Sequence, residues 1–528
     1  MQKIFLSILL IALTLGLLSS CSTRDKSKIP ITTKSSQARA LFEEGMALCD
    51  RFHHDEARQC MEEAIEIDPE FALGYLGLAC SDLRRGAQYA SLQQADDLAR
   101  PMIRKAPPSI LLGVSVLGNE DEDFLGRAGQ LLDKVSTAER LWINGLRLSA
   151  EGDRSGAVNS FVGLAMMYPQ DPLAHRLLGD CYLRFGMPDS AIASYERALA
   201  IDSSMAIVYN MLGYEYQAVG RKQDAEQMFA KYAELLPEEP NPQDSYAEFL
   251  LRDGRYEESL DLYRKALELD PGFTNSRVGA ATDLALMEKY SEALAELDPK
   301  MDIARTGQDR LAIEGAKAVT YAYAHDLKKC LTTFKKRGET IDIELEPVDA
   351  AYNYDICGEI YAYEGKQRDA EEMFKTSLAI IRSSDLPKAV KEQYEIYHRI
   401  RRSIYIDLPA GDVDRAERQL QQLEYKTGTM SDLVTKAALE SALHILRGMI
   451  AFDQKDYELA ADEFKLTRDP SAEVSYYLGM CCEKLGDTEG AADCYRKAMV
   501  VRKLLDLPHA LYFSKAEAAL GRVEPPIA

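Results

Sequence analysis

Three successive stretches superimpose with a period of 34 residues: 172–205 (PLAHRLLGDCYLRFGMPDSAIASYERALAIDSSM), 206–239 (AIVYNMLGYEYQAVGRKQDAEQMFAKYAELLPEE) and 240–273 (PNPQDSYAEFLLRDGRYEESLDLYRKALELDPGF). One column of the alignment reads Gly179, Gly213, Ala247, and a second reads Tyr182, Tyr216, Leu250. A third reads Ala191, Ala225, Ser259, and a fourth Tyr195, Phe229, Tyr263. Each period holds two stretches with apolar residues at three-and-four spacing, the signature of a helix with one buried face. A short polar segment such as FGMPDS or VGRKQD separates them. The small residues fall where two helices must approach closely, because interaxial distance depends on the side chains at the contact. The aromatic column fills the space beside that contact. Pro237 and Pro271 follow the second helix, as prolines often do after a helix end. One such hairpin cannot bury its apolar face alone, whereas stacked neighbours can, and a repeat of this length is the mark of a solenoid.

These columns resemble the tetratricopeptide repeat, and the resemblance extends along most of the chain. Further copies carry Gly45, Ala57, Ala64 and Pro69; Gly145, Ala157, Phe161 and Pro169, with Trp142, the only tryptophan; Gly358, Tyr361, Ala370 and Phe374; Gly448, Ala460 and Phe464; and Gly479, Ala491, Tyr495 and Ala498. Weaker units fall near 72–105, 311–344 and 397–430. The resemblance implies an all-α fold, a right-handed superhelical solenoid of about twelve stacked helix-turn-helix units. Residues 38–105 are expected to hold the N-terminal units and 106–137, with Pro107 and Pro108, a divergent helical insertion. Residues 138–307 hold the central regular units, and 308–505 the C-terminal units with irregular junctions. Residues 385–396 lengthen one junction, the unit at 441–471 is short, and 506–528 form a capping helix and tail. The chain is also similar to a group of bacterial tandem-repeat proteins, a likeness that brings no activity with it.

The N-terminus has a different logic. Lys3 precedes a nearly unbroken apolar run from Ile4 to Leu18. A charged start and a short apolar core describe a secretory signal peptide, and the run is shorter than the about twenty residues a membrane-spanning helix needs. Leu18, Ser19, Ser20 and Cys21 resemble the lipobox of bacterial lipoproteins, in which the peptide is cut before the cysteine and the thiol carries a diacylglycerol. Residues 1–20 are thus expected to be removed and Cys21 lipidated. Residues 22–37 would form a flexible tether spanning about 50 Å at roughly 3.3 Å per residue. Several acyl chains hold firmly, at roughly 0.8 kcal/mol per buried methylene. Ser22 is not the aspartate that retains lipoproteins on the inner membrane of enteric bacteria, so the expected residence is the outer membrane of the cell envelope.

Composition narrows the function. Lysine plus arginine number 63 and aspartate plus glutamate 85, a formal charge of −22. A nucleic-acid binder needs a basic surface, so no nucleic-acid partner is expected. The basic patches LKKCLTTFKKRG (327–338) and HRIRRS (398–403) read as solvated helix faces. Cysteines number 10; with Cys21 set aside, the remainder show neither CxxC nor zinc-like spacing with histidine and read as buried thiols in helix cores. HHDE at 53–56 falls in a hairpin turn, where polar residues are expected. No phosphate-binding loop, GxGxxG, HExxH or GxSxG is present, so no enzyme, metal or cofactor is expected.

What remains is surface. In tetratricopeptide arrays the first helix of each unit lines the concave face, and ligands are usually extended peptides or helices. Carried over, that geometry makes Arg176, Asp180, Leu183, Asn210, Tyr214, Gln217, Asp244, Glu248 and Leu251 groove positions. Tyr323, Tyr352, Asp355, Glu359, Tyr363, Tyr476 and Met480 follow further along. The Lys-and-Asn set that clamps peptide C-termini in some members is not visible. The expected function is a lipid-anchored, non-enzymatic scaffold that binds other polypeptides. The alternative is a surface glycan-binding lipoprotein with embedded repeats, which the single tryptophan disfavours.

Overall fold

The computed structural model describes residues 27–81, 124–297, 306–341, 347–429, 433–467, 471–500 and 507–524. Among them 27–81 with 124–208 form one compact unit and 209–524 another. The expected signal peptide, Cys21, most of the second repeat and residues 106–123 of the expected insertion lie outside the described residues.

Both units are built from antiparallel helix pairs. The first unit pairs Ser36–Asp50 with His54–Ile67, Thr137–Ala150 with Arg154–Met167, and Pro172–Arg184 with Pro188–Ile201. The second continues from Ala206–Ala218 with Lys222–Leu235 and Pro240–Arg252 with Tyr256–Leu269 to Ala472–Leu485 with Thr488–Ala498. A last helix, Leu507–Val523, follows.

The glycine and aromatic columns meet sixteen residues apart across each hairpin. A Cβ placed on Gly145, Gly179, Gly213, Gly358 or Gly479 would come within 2.5–2.8 Å of the ring of Phe161, Tyr195, Phe229, Phe374 or Tyr495. The ring sits against bare backbone, so the two helices approach to a distance that a side chain would forbid. The hairpin turn has its own rule. A residue in the left-handed region, such as Gly152 (φ 78°), Gly411 (77°) or Gly486 (82°), reverses the chain. The aspartate that follows then caps the second helix: Asp153 accepts from the Gly156 amide at 2.9 Å and Asp487 from Gly490 at 2.9 Å. Lys455 keeps this geometry without being glycine, at φ 64°.

Residues 29–35 are not the flexible tether that composition suggests. The Ile29 amide donates to buried Asp171 at 2.6 Å. The Thr32 amide and hydroxyl each donate to Glu139 at 2.6 Å, and Thr33 donates to Asp68 at 2.6 Å. Three carboxylates at helix ends of the first unit hold this extended segment, and Ile29 itself is buried. A polar sequence looks mobile until its hydrogen-bonding partners, 35 to 142 residues away, are in place.

The later repeats are less regular, and residues 385–396, expected to lengthen a junction, run into a helix. Lys388–Arg402 is a helix that ends in a π-helical turn, Ser403–Asp407, before pairing with Val413–Gly428. Leu433–Asp453 is long and its partner Tyr457–Lys465 short. Eight of the nine cysteines beyond residue 27 are buried, in line with their reading as small core residues.

Candidate functional site

Nine of the sixteen groove positions expected as peptide contacts are buried, Leu183, Leu251 and Tyr323 among them. In the first unit, Arg176 is 2% exposed and grips Asp50 with Nη1 at 2.9 and 2.7 Å. Its Nε lies 3.6 Å from Asp180, which in turn accepts the Tyr195 hydroxyl at 2.7 Å. In the second unit Asn210 and Asp244 are buried, and Asp244 accepts the Ser276 hydroxyl at 2.6 Å. Burial pushes the Asp244 carboxyl up to about 7. Tyr352 and Asp355 are buried too, with Asp355 2.9 Å from Arg401. The first helix of each pair is flanked by neighbouring hairpins, and these side chains point into that packing. The other seven are half-buried: Tyr214, which donates to Glu248 at 2.7 Å, Gln217, Glu248 itself, Glu359, Tyr363, Tyr476 and Met480.

Tyr363 lines a cavity of about 290 Å³ within the second unit. Five chain segments contribute to it. Pro347–Tyr363 supplies Glu359 and Tyr363 from its last turns; the π-helical turn supplies Ile404 and Tyr405. Leu433–Asp453 ends on Phe452 and Asp453; Ala472–Leu485 gives Glu473 and Tyr477; Leu507–Val523 gives Leu511, Tyr512 and Lys515. The π turn inserts a residue into the helical register, a device frequent at functional sites, and brings Tyr405 to the wall.

Glu473 is the polar anchor of the cavity. It accepts the hydroxyls of Tyr405 at 2.9 Å and Tyr512 at 2.7 Å. Burial pushes its carboxyl above the usual range, while the two tyrosine hydrogen bonds pull the other way. Lys515, at the exposed mouth, lays its ammonium 4.0 Å from the centre of the Tyr363 ring and 4.8 Å from that of Tyr512. Partial burial lowers the Lys515 pKa, and Glu473 opposes this. The rings are fixed from behind: Tyr363 donates to the Leu511 carbonyl at 2.9 Å, and Tyr477 meets Phe452 edge-on at 5.1 Å.

The closing helix makes this cavity. It caps the last hairpin, Ala516 and Ala519 packing with Ala491 and Tyr495. It also reaches back to Gly307–Tyr323, where the Tyr323 hydroxyl and His509 Nδ1 lie 2.8 Å apart. Sequence reasoning found Tyr363, Glu359 and the neighbouring Tyr476 but missed Tyr405, Glu473, Tyr512 and Lys515. The available signal was the aromatic spacing in ALYFSK (510–515), on a helix expected only to cover an end. The lining contains no serine, cysteine or histidine, and among the described residues no cluster suits a metal ion.

Tetratricopeptide-repeat family models match residues 38–71, 144–206, 210–272 and 472–499. No curated protein matches. Among solved structures, a tetratricopeptide repeat protein from Parabacteroides merdae ATCC 43184 is 17% identical. That match covers 50% of this chain and 98% of that one, with a TM-score of 0.38. YrrB, described as a TPR protein with an unusual peptide-binding site, is 22% identical over 35% of this chain and 93% of its own, with a TM-score of 0.28. PilW, a type IV pilus biogenesis factor, is 20% identical over 42% and 98%, with a TM-score of 0.32. These scores are too low to carry a functional argument, and the family assignment rests on the repeat matches and on the hairpins themselves. The chain carries tetratricopeptide repeats in both of its units.

Proposed function

We propose that the chain is a non-enzymatic scaffold that binds another polypeptide, with the tyrosine-walled cavity of the second unit as its docking point. Proteins built from these repeats mediate protein–protein interactions, which sets the class. One observation carries the location: five separate chain segments converge on one concavity walled by Tyr363, Tyr405, Tyr477 and Tyr512. Tyrosine offers large contact area for little lost side-chain freedom and is enriched at interfaces. The buried polar groups at Arg176, Asp180, Asn210, Asp244, Tyr352 and Asp355 hold the packing that keeps the walls and hairpins in place. A photo-crosslinking side chain at exposed Asp453, on the cavity rim, should capture one polypeptide in intact cells, and one at Tyr425, exposed and outside the lining, should not. Equal capture from both positions refutes the location.

The same reading places the scaffold on a membrane of the bacterial cell envelope through a lipid on Cys21, the outer membrane rather than the inner. LLSSC (17–21) supports it. Because Ile29 is already docked, seven residues, 22–28, separate the anchor from the folded body. Fully extended, they reach roughly 25 Å at about 3.3 Å per residue, half the span that a free segment to residue 37 would allow. Mass spectrometry of the mature N-terminus should find an acylated Cys21; an unmodified thiol there refutes the anchor.

A further inference from the structure

The geometry points to the cavity as a receptor for one basic side chain, a lysine or arginine of the partner polypeptide, with Lys515 as the chain's own occupant of that place. The inference rests on the cavity being where the partner docks, and it names the chemistry recognised there.

Lys515 is the first observation. Its ammonium lies over two ring faces, Tyr363 at 4.0 Å and Tyr512 at 4.8 Å. The negative face of an aromatic ring attracts a cation within about 6 Å of its centre. The two rings are locked in place, Tyr363 by its bond to the Leu511 carbonyl and Tyr512 by its bond to Glu473, so the cage exists independently of the lysine that uses it.

The charges are the second. Among the described lining residues the carboxylates Glu359, Asp453 and Glu473 face Lys515 as the one cation. Glu359 also lies 3.1 Å from Arg401. Glu473 has both carboxylate oxygens oriented by tyrosine hydroxyls, at 2.9 and 2.7 Å. An anionic ligand would meet this carboxylate with only Lys515 among the lining residues in its favour. A cationic one gains both the carboxylate and the ring faces.

The space is the third. A cavity of 290 Å³ is many times the roughly 10–15 Å³ that a single water requires. Ile404, Leu408 and Leu511 offer apolar wall to the methylenes of a long side chain while its charged end reaches Glu473, the arrangement long basic side chains favour. An incoming lysine or arginine would displace Lys515, which is exposed and can swing into solvent.

The test uses the full chain and a pair of pentapeptides, Gly-Gly-Lys-Gly-Gly and its norleucine counterpart, by isothermal titration calorimetry. Lys515→Met keeps the apolar stem and removes the competing charge. The lysine peptide should bind Lys515→Met about tenfold more tightly than it binds the parent chain, the scale of one desolvated cation–ring contact. It should also bind that variant at least tenfold more tightly than the norleucine peptide does. Adding Glu473→Gln should abolish the preference. Equal binding of the two peptides to Lys515→Met overturns the inference, as does a preference that survives Glu473→Gln. If the double variant fails to fold, the lysine-over-norleucine ratio on Lys515→Met decides alone. Capture of a polypeptide from position 453 without any lysine preference removes the inference and leaves the docking point standing; loss of both removes both.

Discussion

Gly213→Ala sets two effects of opposite sign against each other, and the hairpin geometry decides between them. In an isolated helix the change should stabilise, since glycine is about 1 kcal/mol less favourable than alanine. Here the new Cβ would lie 2.8–2.9 Å from three carbons of the Phe229 ring. Carbon atoms prefer a separation of about 3.5–4.0 Å, so the ring must retreat by at least about 0.6 Å. It has little room. Phe229 is fully buried, with Tyr214 edge-on at 4.9 Å and Phe249 at 5.6 Å behind it. Overpacking of this kind costs about 1–3 kcal/mol, so the net expectation is a loss of about 1 kcal/mol. Gly521, near the end of the last helix, has nothing within 4 Å of the added atom, and there the same substitution should stabilise by about 0.5–1 kcal/mol. Urea unfolding gives the two signs. Hydrogen exchange should place the Gly213→Ala loss in 206–235 and the adjoining hairpin, fading before 472–498, because each repeat contacts only its neighbours. The hairpin argument is refuted if Gly213→Ala proves as stable as the parent, or if adding Phe229→Leu, which frees space beside the new methyl, gives no recovery.

Three further substitutions test other parts of the structure. Lys455→Gly should stabilise the chain by about 1 kcal/mol, since Lys455 sits at φ 64° and a side chain there costs about 1–2 kcal/mol; a thermal melt reads it directly. Burial raises the Asp283 carboxyl to about 8. Its folded form therefore holds a proton that the unfolded chain releases near pH 3.9, and its contribution makes stability fall as pH rises from about 4 to 8. Asp283→Asn should flatten that slope and leave the chain more stable than the parent at pH 8, as urea midpoints across the range would show. Glu139→Ala removes the acceptor of the Thr32 amide and hydroxyl and of the Ser136 amide. It should cost about 1–3 kcal/mol and expose residues 29–35 to limited proteolysis; an unchanged cleavage pattern counts against the docked segment.

The period of 34 residues and the glycine–aromatic columns determined the hairpins, because Gly145, Gly179, Gly213, Gly358 and Gly479 each meet a ring of their own hairpin. Gly179 meets Tyr195 and Gly479 meets Tyr495 by the same spacing, and a spacing is visible in one dimension. Side-chain direction on the first helices was less legible. Arg176 and Asp355 share a helical face with half-buried positions, and only neighbouring hairpins show that Asp50 and Arg401 receive them. The same holds for residues 29–35, whose partners Asp68, Glu139 and Asp171 are scattered along the first unit. Tertiary structure alone decided the cavity. Tyr363 and Leu511 meet across 148 residues and Tyr323 and His509 across 186, so the closing helix lines a cavity as well as capping an end. Repeat columns record what each hairpin needs from its neighbour; the cavity depends on how the distant helix Leu507–Val523 returns to the stack, and no column of a periodic alignment carries that information.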